Sequence, residues 1–381
     1  MNSLPPASGL KSLSTDQFGR PAQTVDGSAV VVRMLDAEHD LSGVCQLFSD
    51  VFSQPMDTQH WRWKYMQAPG SQHYHALAAH AHTGMLLGHI GVIVLPGLRG
   101  KQAIRMAHAT DLMVSPLART GLGPDSVFRH MMHTVRERAL GDSPGAAPLF
   151  MYGFQGQRPA TLGMRLGIQR RLQVCTEYTS DPAAGAGPVA PAVARQGLWT
   201  RFQQRWQQRG SLRLEARAQP PEETAWSDAV LNSVWQRQAR ALAAQDPEKT
   251  LPGVARTAAY LRWRYLHHPQ QQAQPGSVPL YTLWLLGRPS RSAEGWLVTR
   301  QTPHPTVVDS CLPGDAHGNG AWLAAALQAL GQQSPGPWTS WLPHPGAHAR
   351  ATPIWATAMQ GAQFHDHWPS PAFQPGDTDV F

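Results

Sequence analysis

The sequence predicts an α/β (α+β) protein of two tandem domains with the same fold, each a mixed twisted sheet flanked by helices. Three observations lead to this prediction. The chain has 381 residues, which exceeds the length at which a single hydrophobic core keeps growing. Apolar patterns of strand period and of helix period alternate along it. The uncommon phrase "WRWKYMQAP" beginning at Trp61 returns as "LRWRYLHHP" beginning at Leu261, although the chain has only 14 Trp and 7 Tyr.

The first half is predicted to run strand, helix or helices, three strands, helix, strand, helix and strand. A valine-rich strand at Ala29–Leu35 precedes apolar residues at helical spacing, and the segment around Trp63 is predicted to be helical. A later helix is predicted to begin near Pro124. The segments that follow Trp63 are, in order, "HYHALAAHAH", "MLLGHIGVIVLPG", "QAIRMAHATDLMV", "GPDSVFRHMMHTVRERAL", "PLFMYGF", "RPATLGMRL" and "IQRRLQVCTEYT".

The second half repeats this order. A long helix is predicted from Asp228 to Ala243, the repeated phrase follows, and then come three strands and a helix. The last predicted elements are the strand "WTSWLPH", the helix "ARATPIWATAM" and the strand "AQFHDHW". The offsets between matching residues are 200 from Arg62 to Arg262, 198 from Asp111 to Asp309 and 197 from Gly121 to Gly318. So small a drift is what two copies of one fold would give.

Changes in composition predict the domain boundaries. Residues 1–28, rich in Ser, Pro, Gly and Gln, are predicted to be a flexible leader, and the Ala/Gly/Pro-rich residues 181–197 a linker. The first domain then spans 29–180, the second spans 198–370, and 371–381 form a tail.

Charge and cysteine content limit the function classes. The net charge of +7 with neutral histidines is a modest excess, which fits an anionic ligand and gives no reason to expect nucleic acid. Cys45, Cys175 and Cys311 are far apart and odd in number, which favours a reducing cytoplasm over a disulfide framework. The N-terminal residues lack the apolar core of a signal peptide, and no apolar run reaches the roughly 18 residues of a membrane-spanning helix. We expect a cytoplasmic protein; its oligomeric state is left open.

One stretch, "DLMVSPLARTGLGPDSVF" beginning at Asp111, carries a chemical signal. A strand is predicted to end at Val114, and a loop containing Gly121 and Gly123 leads into a helix. Such a loop can present backbone N–H groups and the positive end of a helix dipole to a phosphate, and Arg119 adds a charged donor. The alternative is a glycine-rich turn that packs the helix against the strand. Neither the Rossmann nor the P-loop glycine pattern occurs here.

The stretch resembles the acyl-CoA loop of the GNAT (GCN5-related N-acetyltransferase) superfamily, in which a strand ending in Val-x-Pro precedes a basic or Gln residue and Gly-x-Gly/Ala. More narrowly, the chain resembles bacterial tandem-GNAT proteins. The matching residues are Val114-Ser115-Pro116, Arg119, Gly121 and Gly123, together with Trp61-x-Trp63-Lys64-Tyr65, Gly88-His89, Asp111-Leu-Met-Val and Tyr152-Gly-Phe.

The resemblance implies that acetyl-CoA or another acyl-CoA binds between the strand ending at Val114 and the strand ending at Phe154. A small-molecule, sugar or peptide amine would attack the thioester directly. The backbone groups implied for the pantetheine arm are those of Leu112, Met113 and Val114, and those implied for the pyrophosphate are those of Arg119, Thr120, Gly121, Leu122 and Gly123.

Two departures from the family pattern concern catalysis. Arg119 precedes Gly121 by two residues instead of three, and the Tyr that commonly protonates the leaving thiolate would fall near Gly163, where there is none. Tyr152 is the remaining candidate acid, and its alternative is a strand residue packed in the core. Asp111 is the candidate base, acting through water, and its alternative is a structural carboxylate.

The other conspicuous residues have ordinary interpretations. On a continuous strand, His73 and His75 at odd positions face one side, and His80 and His82 at even positions face the other. We therefore expect surface or cleft histidines and no metal site. The repeated Trp-x-Trp-x-Tyr phrases are predicted to be core, with Trp61 or Tyr65 lining an acceptor site as the alternative.

In the second copy, "DAHGNGAWL" keeps two glycines but lacks a nearby Arg or Lys, and Asp315 would repel phosphate. We expect that copy to be a structural or substrate-shaping partner.

The function predicted from the sequence is therefore an acyl-CoA-dependent N-acyltransferase. Two alternatives stay open. One is an aminoacyl-tRNA-dependent transferase of the tandem-GNAT type, which would require a more basic groove than the charge distribution predicts. The other is a non-catalytic acyl-CoA-binding or structural protein.

Overall fold

The computed structural model describes residues 22–70, 72–121, 123, 125–141, 150–180, 212–244, 252–271, 278–301, 305–313, 320–331, 337–340 and 347–359. In these ranges no helix is both long enough and apolar enough to cross a bilayer. The chain divides into two compact units. The first unit contains Met1–Met66, Ser71–Val94 and Ala107–Met151, and the second contains Gln67–Gly70, Leu95–Met106 and Tyr152–Phe381. The predicted linker at 181–197 lies outside the described residues.

The first unit is a sheet with helices packed on it. Its strands lie in the order β1 (Val30–Met34), β2 (Gln72–His80), β3 (Leu86–Arg99) and β4 (Gln102–Val114), and β2 pairs antiparallel with both β1 and β3. Strand β3 belongs to this unit up to Val94, and β4 belongs to it from Ala107. Ala76 to Ala79 are buried in succession, so both faces of β2 are covered. Helices α2 and α3 pack against β2. The helices of this unit are α1 (Leu41–Phe52), α2 (Thr58–Met66) and α3 (Val127–Gly141).

The second unit contains a longer series of neighbouring strands. Its strands are β5 (Phe150–Gly156), β6 (Gln169–Ser180), β7 (Glu215–Gln219), β8 (Gly253–Val254), β9 (Tyr281–Gly287), β10 (Gly295–Arg300), β11 (Thr306–Cys311), β12 (Thr339–Ser340) and β13 (Ala347–Met359). All of them except β8 are neighbours in the order β5, β13, β6, β12, β11, β10, β9 and β7. The helices are α4 (Gln157–Arg165), α5 (Asp228–Ala243), α6 (Ala258–Leu261) and α7 (Gly320–Gly331). The apolar core includes Trp284, Leu297, Trp322 and Leu330. The predicted α/β class is confirmed, and the tandem duplication stays a prediction.

The helix predicted at "ARATPIWATAM" is wrong, because this segment forms strand β13. It pairs antiparallel with β5 on one side and with β6 on the other. Its threonines, isoleucine and tryptophan favour a strand, and Pro353 would interrupt a helix. Apolar periodicity could not show that one more strand lies between β5 and β6, or that this strand comes from much later in the chain. The strand predicted at "AQFHDHW" lies outside the described residues.

The end of the predicted flexible leader is ordered. Gln23 forms a β-bridge with Ala29, and the N–H of Val30 donates to the carbonyl of Ala22. The N–H of Val25 donates to the carbonyl of Leu117 in the loop after β4, at 2.9 Å. Residues 22–28 are therefore a strap on the first unit, and we call them the N-terminal strap. The preceding residues lie outside the described ranges.

The repeated phrase is helical in both halves. In the first, Trp61, Trp63 and Tyr65 are buried on α2. In the second, α6 continues into a single π-helical turn over Arg262–Leu266, which holds Trp263 and Tyr265 in the interior. The prediction that these aromatic residues belong to the core is confirmed.

The short strand β8 ties a distant segment to the outer end of β3. Gly97 faces Val254 across the pair, and the N–H of Ala255 donates to the carbonyl of Pro96. A Cβ added at Gly97 would lie 2.8 Å from the carbonyl oxygen of Gly253. Only glycine lets the two backbones approach this closely.

We expect Gly97→Ala to lower the free energy of unfolding by about 1–3 kcal/mol, because the added methyl group forces β8 away from β3. Urea denaturation measures the change. Gly331→Ala is the matched control, since a Cβ there meets nothing within 4 Å. Equal stability of the two variants would contradict the proposed close approach.

Candidate functional site

Asp111, near the end of β4, has an unusual backbone conformation, and two residues of the repeated phrase donate to its carboxylate. Its φ of 49° lies in the left-handed region, which few residues other than glycine adopt. The ammonium of Lys64 donates to its Oδ1 at 2.8 Å, and the hydroxyl of Tyr65 donates to its Oδ2 at 2.6 Å. The side chains of Lys64 and Asp111 are only 3% and 2% exposed. The buried charge of Asp111 is therefore compensated directly.

These contacts fix the charge state of Asp111. Burial alone would raise the pKa of its carboxyl group, but the charge of Lys64 and the hydrogen bonds from Lys64 and Tyr65 outweigh burial and bring the pKa below its usual 3.8. The carboxylate is ionised at neutral pH, with both oxygens engaged. The arrangement favours the structural alternative for Asp111 over a general base, which would need a raised pKa and a free oxygen.

Three histidines form a chain of hydrogen bonds that ends at the same residue. His73 Nδ1 lies 3.0 Å from His75 Nε2, His75 Nδ1 lies 3.0 Å from His89 Nε2, and His89 Nδ1 lies 2.9 Å from the carbonyl oxygen of Asp111. Because a carbonyl can only accept, His89 must donate from Nδ1. A neutral histidine has one ring N–H, so Nε2 of His89 must accept from Nδ1 of His75, and Nε2 of His75 must accept from Nδ1 of His73. Each histidine in the chain therefore carries its proton on Nδ1.

Burial keeps the three histidines neutral. Burial lowers the pKa of His73, and burial together with repulsion from neighbouring cations lowers the pKa of His75 well below 6.5. The pKa of His89 is also lowered by burial, although Asp111 partly offsets this. The expectation of surface or cleft histidines is wrong for His75, which is 2% exposed beneath Trp61 and Tyr65. No metal-binding cluster of His, Cys, Asp or Glu occurs in the part of the chain that the structure describes.

The loop after β4 is open to solvent. A 3₁₀ turn at Pro116–Ala118 follows Val114, and Arg119 donates from Nε to the carbonyl of Val114 at 3.0 Å. Gly121 has a φ of 107°, and a Cβ at Gly121 or Gly123 would meet nothing within 4 Å. The backbone N–H of Arg119, predicted to face the pyrophosphate, instead donates to the carbonyl of Pro116 at 3.3 Å. Among the described residues, no protein acceptor lies within hydrogen-bond range of the backbone N–H of Thr120, Gly121 or Gly123. The loop can therefore offer these groups to a ligand.

A cavity of about 410 Å³ borders this loop. The N-terminal strap forms its other wall. Asp125 brings a carboxylate to one part of the lining, so an anionic ligand would lie nearer to Thr120 than to Asp125. The lining residues are Gln23, Thr24, Val25, Gly27, Thr120, Gly123, Asp125 and Ser126.

The residues predicted for the pantetheine arm lie between Asp111 and this loop. Met113 is buried, whereas Leu112 and Val114 are half-buried. Gly88 on β3 allows a close approach here, because a Cβ at Gly88 would lie 3.2 Å from the carbonyl oxygen of Met113 and 2.8 Å from the sulfur of Met131. Leu122, predicted with the pyrophosphate group, lies outside the described residues.

The predicted acid, Tyr152, belongs to the second unit. Its side chain is fully buried on β5, where its ring meets that of Phe154 edge to face. The structure does not bring Tyr152 and Asp111 into one compact unit.

The place of the missing late-helix tyrosine is filled by a glutamine. A Cβ at Gly163 on α4 would lie 1.9 Å from Nε2 of Gln169. The amides of Gln169 and Gln155 donate to one another at 3.0 Å in both directions. Gln169, which is buried and bonded to the half-buried Gln155, thus occupies the space that a side chain at residue 163 would need.

The second unit contains its own version of the buried carboxylate. Tyr265 donates to Oδ2 of Asp309 at 2.8 Å, and Arg256 donates from Nε to Oδ1 at 3.2 Å. Asp309, unlike Asp111, has no left-handed φ. The second glycine loop, with Asp315 and Gly318, lies outside the described residues.

Sequence reasoning placed Tyr65 in the core, assigned no place to Lys64, and missed their shared contact with Asp111. A signal was available. Tyr65 and Asp111 recur together as Tyr265 and Asp309, and a lysine inside an apolar phrase needs a partner when it is buried.

The structure resembles solved GCN5-related N-acetyltransferase structures. A conserved protein from Enterococcus faecalis V583, described as a probable N-acyltransferase, aligns over 87% of this chain and 72% of its own with 13% identity and a TM-score of 0.53. GCN5-related N-acetyltransferases from Kribbella flavida and Anabaena variabilis ATCC 29413 align over 87% of this chain and 71% and 72% of theirs, with 10% and 11% identity and TM-scores of 0.54 and 0.52. No model of a protein family and no curated protein matches the sequence. The likeness shows the fold that the sequence resemblance predicted.

The histidine chain predicts a dependence of stability on pH. The three histidines have lowered pKa values in the folded state, so on acidification the unfolded state binds protons at a higher pH than the folded state does. Their contribution to the free energy of unfolding is complete above about pH 6.5 and declines below it. A fully buried histidine contributes at most about 2 kcal/mol between about pH 6.5 and 5. We expect His75→Gln to flatten this decline in urea denaturation, and His82→Gln, in the exposed turn after β2, to leave it unchanged. A decline of the same slope in His75→Gln would contradict this interpretation.

The glutamine pair predicts a coupling between Gly163 and Gln169. We expect Gly163→Ala to lower the free energy of unfolding by about 1–3 kcal/mol, because the methyl group displaces the buried amide. In a Gln169→Ala background the same change should be neutral or stabilising by up to about 1 kcal/mol, since alanine favours helix over glycine. Denaturant unfolding of the four proteins measures the coupling, and equal losses in both backgrounds would contradict it.

Proposed function

We propose that this chain is an acyl-CoA-dependent N-acyltransferase whose donor binds along Leu112–Val114 and at the loop from Arg119 to Gly123. The observation that carries the proposal is the set of backbone N–H groups at Thr120, Gly121 and Gly123, which have no acceptor in the part of the protein that the structure describes. They lie in a fold shared with solved N-acetyltransferases, between β4 and the N-terminal side of α3.

The loop has the chemistry of an anion site. Its free N–H groups and the start of α3 both favour negative charge. Gly121 supplies the left-handed backbone, and the lack of side chains at Gly121 and Gly123 leaves room for an oxyanion to approach. A pyrophosphate fits the Thr120–Gly121 part of the loop, whereas Asp125 would repel it at the other end.

Arg119 makes a contact within the protein in addition to the role expected of it. Its guanidinium donates from Nε to the carbonyl of Val114, so it bridges the strand end and the loop. The remaining N–H groups of an exposed guanidinium can still donate to a phosphate. Arg119 therefore both shapes the loop and supplies charge.

Acyl-CoA would supply an activated thioester, and the acceptor would be a small-molecule, sugar or peptide amine. The chain's own contribution is to position the two reactants and to exclude competing water. Asp111, with its lowered pKa and both oxygens engaged, is assigned to holding the backbone of β4. When the amine nitrogen bonds to the acyl carbon and the C–S bond breaks, solvent takes the proton from the amine and supplies one to the departing CoA thiolate.

A non-catalytic acyl-CoA-binding protein is the second candidate function. The burial of Tyr152 and the glutamine that fills the space beside Gly163 favour it, because neither position offers an accessible phenol to protonate a thiolate. Release of free thiol from acetyl-CoA in the presence of a panel of amines separates the two functions. Binding without release on any amine would favour the second.

Substitution of Gly123 tests the donor site. We expect Gly123→Asp to weaken CoA binding at least tenfold, because a carboxylate repels the pyrophosphate, and Gly123→Asn, equal in size but uncharged, to weaken it only a few-fold. Gly123 lacks a left-handed φ, so neither variant is strained. Isothermal titration calorimetry measures the affinities. Equal affinity of the two variants, or no binding of CoA to the unaltered protein, would contradict the proposal.

A further inference from the structure

We propose that Lys64 and Tyr65 are positioning residues of the donor site, which hold Asp111 in the left-handed conformation that directs the backbone of Leu112–Val114. This inference rests on the proposed function, since Leu112–Val114 is the run assigned to the pantetheine arm. Neither residue touches that arm; both act through Asp111.

The conformation of Asp111 requires a specific cause. A left-handed residue other than glycine costs about 1–2 kcal/mol and persists only where its surroundings hold it. Left-handed residues within strands are typical of β-bulges, which bend a strand and redirect the residues that follow. A change at Asp111 would therefore be transmitted at once to Leu112, Met113 and Val114.

Each polar group of Asp111 beyond its N–H has a partner on a neighbouring element. Helix α2 supplies Lys64 and Tyr65 to the carboxylate, and His89 on β3 donates to the carbonyl oxygen. All of these groups are buried, so exchange with water cannot replace a lost partner. The left-handed turn is thus fixed from both sides of the residue.

Gly91 on β3 leaves the space that the Tyr65 side chain needs to reach Asp111. A Cβ at Gly91 would lie 2.4 Å from the hydroxyl oxygen of Tyr65 and 2.7 Å from the ring carbon that bears it. Only glycine at this position lets the phenol reach Asp111. A substitution at Gly91 therefore breaks the Tyr65–Asp111 hydrogen bond without altering either of its partners.

The second unit provides an internal control. Tyr265 donates to the buried Asp309 at 2.8 Å, as Tyr65 donates to Asp111 at 2.6 Å. Asp309 adopts no left-handed φ, and the donor site proposed above does not follow it. Loss of either tyrosine hydroxyl removes a comparable buried hydrogen bond, but only the loss at Tyr65 should change the backbone of the donor site.

The experiment compares Tyr65→Phe with Tyr265→Phe. We expect similar decreases in the midpoint of thermal unfolding and, by calorimetry, about a tenfold loss of CoA affinity in Tyr65→Phe alone, the equivalent of one hydrogen bond to a charged group. Tyr265→Phe should bind CoA within about twofold of the unaltered protein. Gly91→Ala, which displaces the phenol by another route, should weaken binding as Tyr65→Phe does. Equal CoA affinity of Tyr65→Phe and Tyr265→Phe would overturn the inference while the proposed function stood.

A second readout does not use CoA. We expect amide hydrogen exchange at Leu112–Val114 to accelerate in Tyr65→Phe and to remain unchanged in Tyr265→Phe. If the unaltered protein bound no CoA, the proposed function would fail, whereas this exchange would still report whether Tyr65 holds β4. Unchanged exchange in Tyr65→Phe would overturn the positioning role itself.

Discussion

The buried carboxylate of Asp111, with the ammonium of Lys64 and the hydroxyl of Tyr65 on its two oxygens, is the interaction on which the rest of the candidate site depends. A buried charge that loses its partner is strongly destabilising, whereas a fully compensated one can hold a backbone in a conformation it would otherwise leave. In this chain the compensated carboxylate belongs to a left-handed residue inside a strand. Leu112–Val114 and the open loop come next in the chain.

The neighbouring elements are shaped around the same carboxylate. Glycine at position 91 makes room for Tyr65, and the histidine chain fills the space beneath Trp61 and Tyr65 with neutral, mutually bonded rings. The repeated phrase is therefore more than apolar packing, because its aromatic residues cover a polar interior. The return of a tyrosine–aspartate pair as Tyr265 and Asp309 supports the predicted duplication, and the loss of the left-handed φ there agrees with a copy that has a structural role.

The sequence was sufficient for those features that depend on local patterns. Strand and helix periodicity located β1 to β6 and the helices between them, and the glycine loop was found by its residue types. The role of Lys64 and Tyr65 was missed because their partner lies more than forty residues away, and periodicity carries no information about such contacts. Strand β13 was missed for a related reason, since its conformation is decided by the two strands it joins. The strap at 22–28 is joined to the loop after β4 by a backbone hydrogen bond with Leu117, which composition cannot reveal.

We propose that the loop from Arg119 to Gly123 receives the anionic part of acyl-CoA. Hydrogen–deuterium exchange of the protein with and without CoA is the decisive test. We expect slower exchange on CoA addition at Thr120, Gly121 and Gly123, with the N-terminal strap protected alongside them. Unchanged exchange in this loop, or protection confined to another part of the chain, would contradict it.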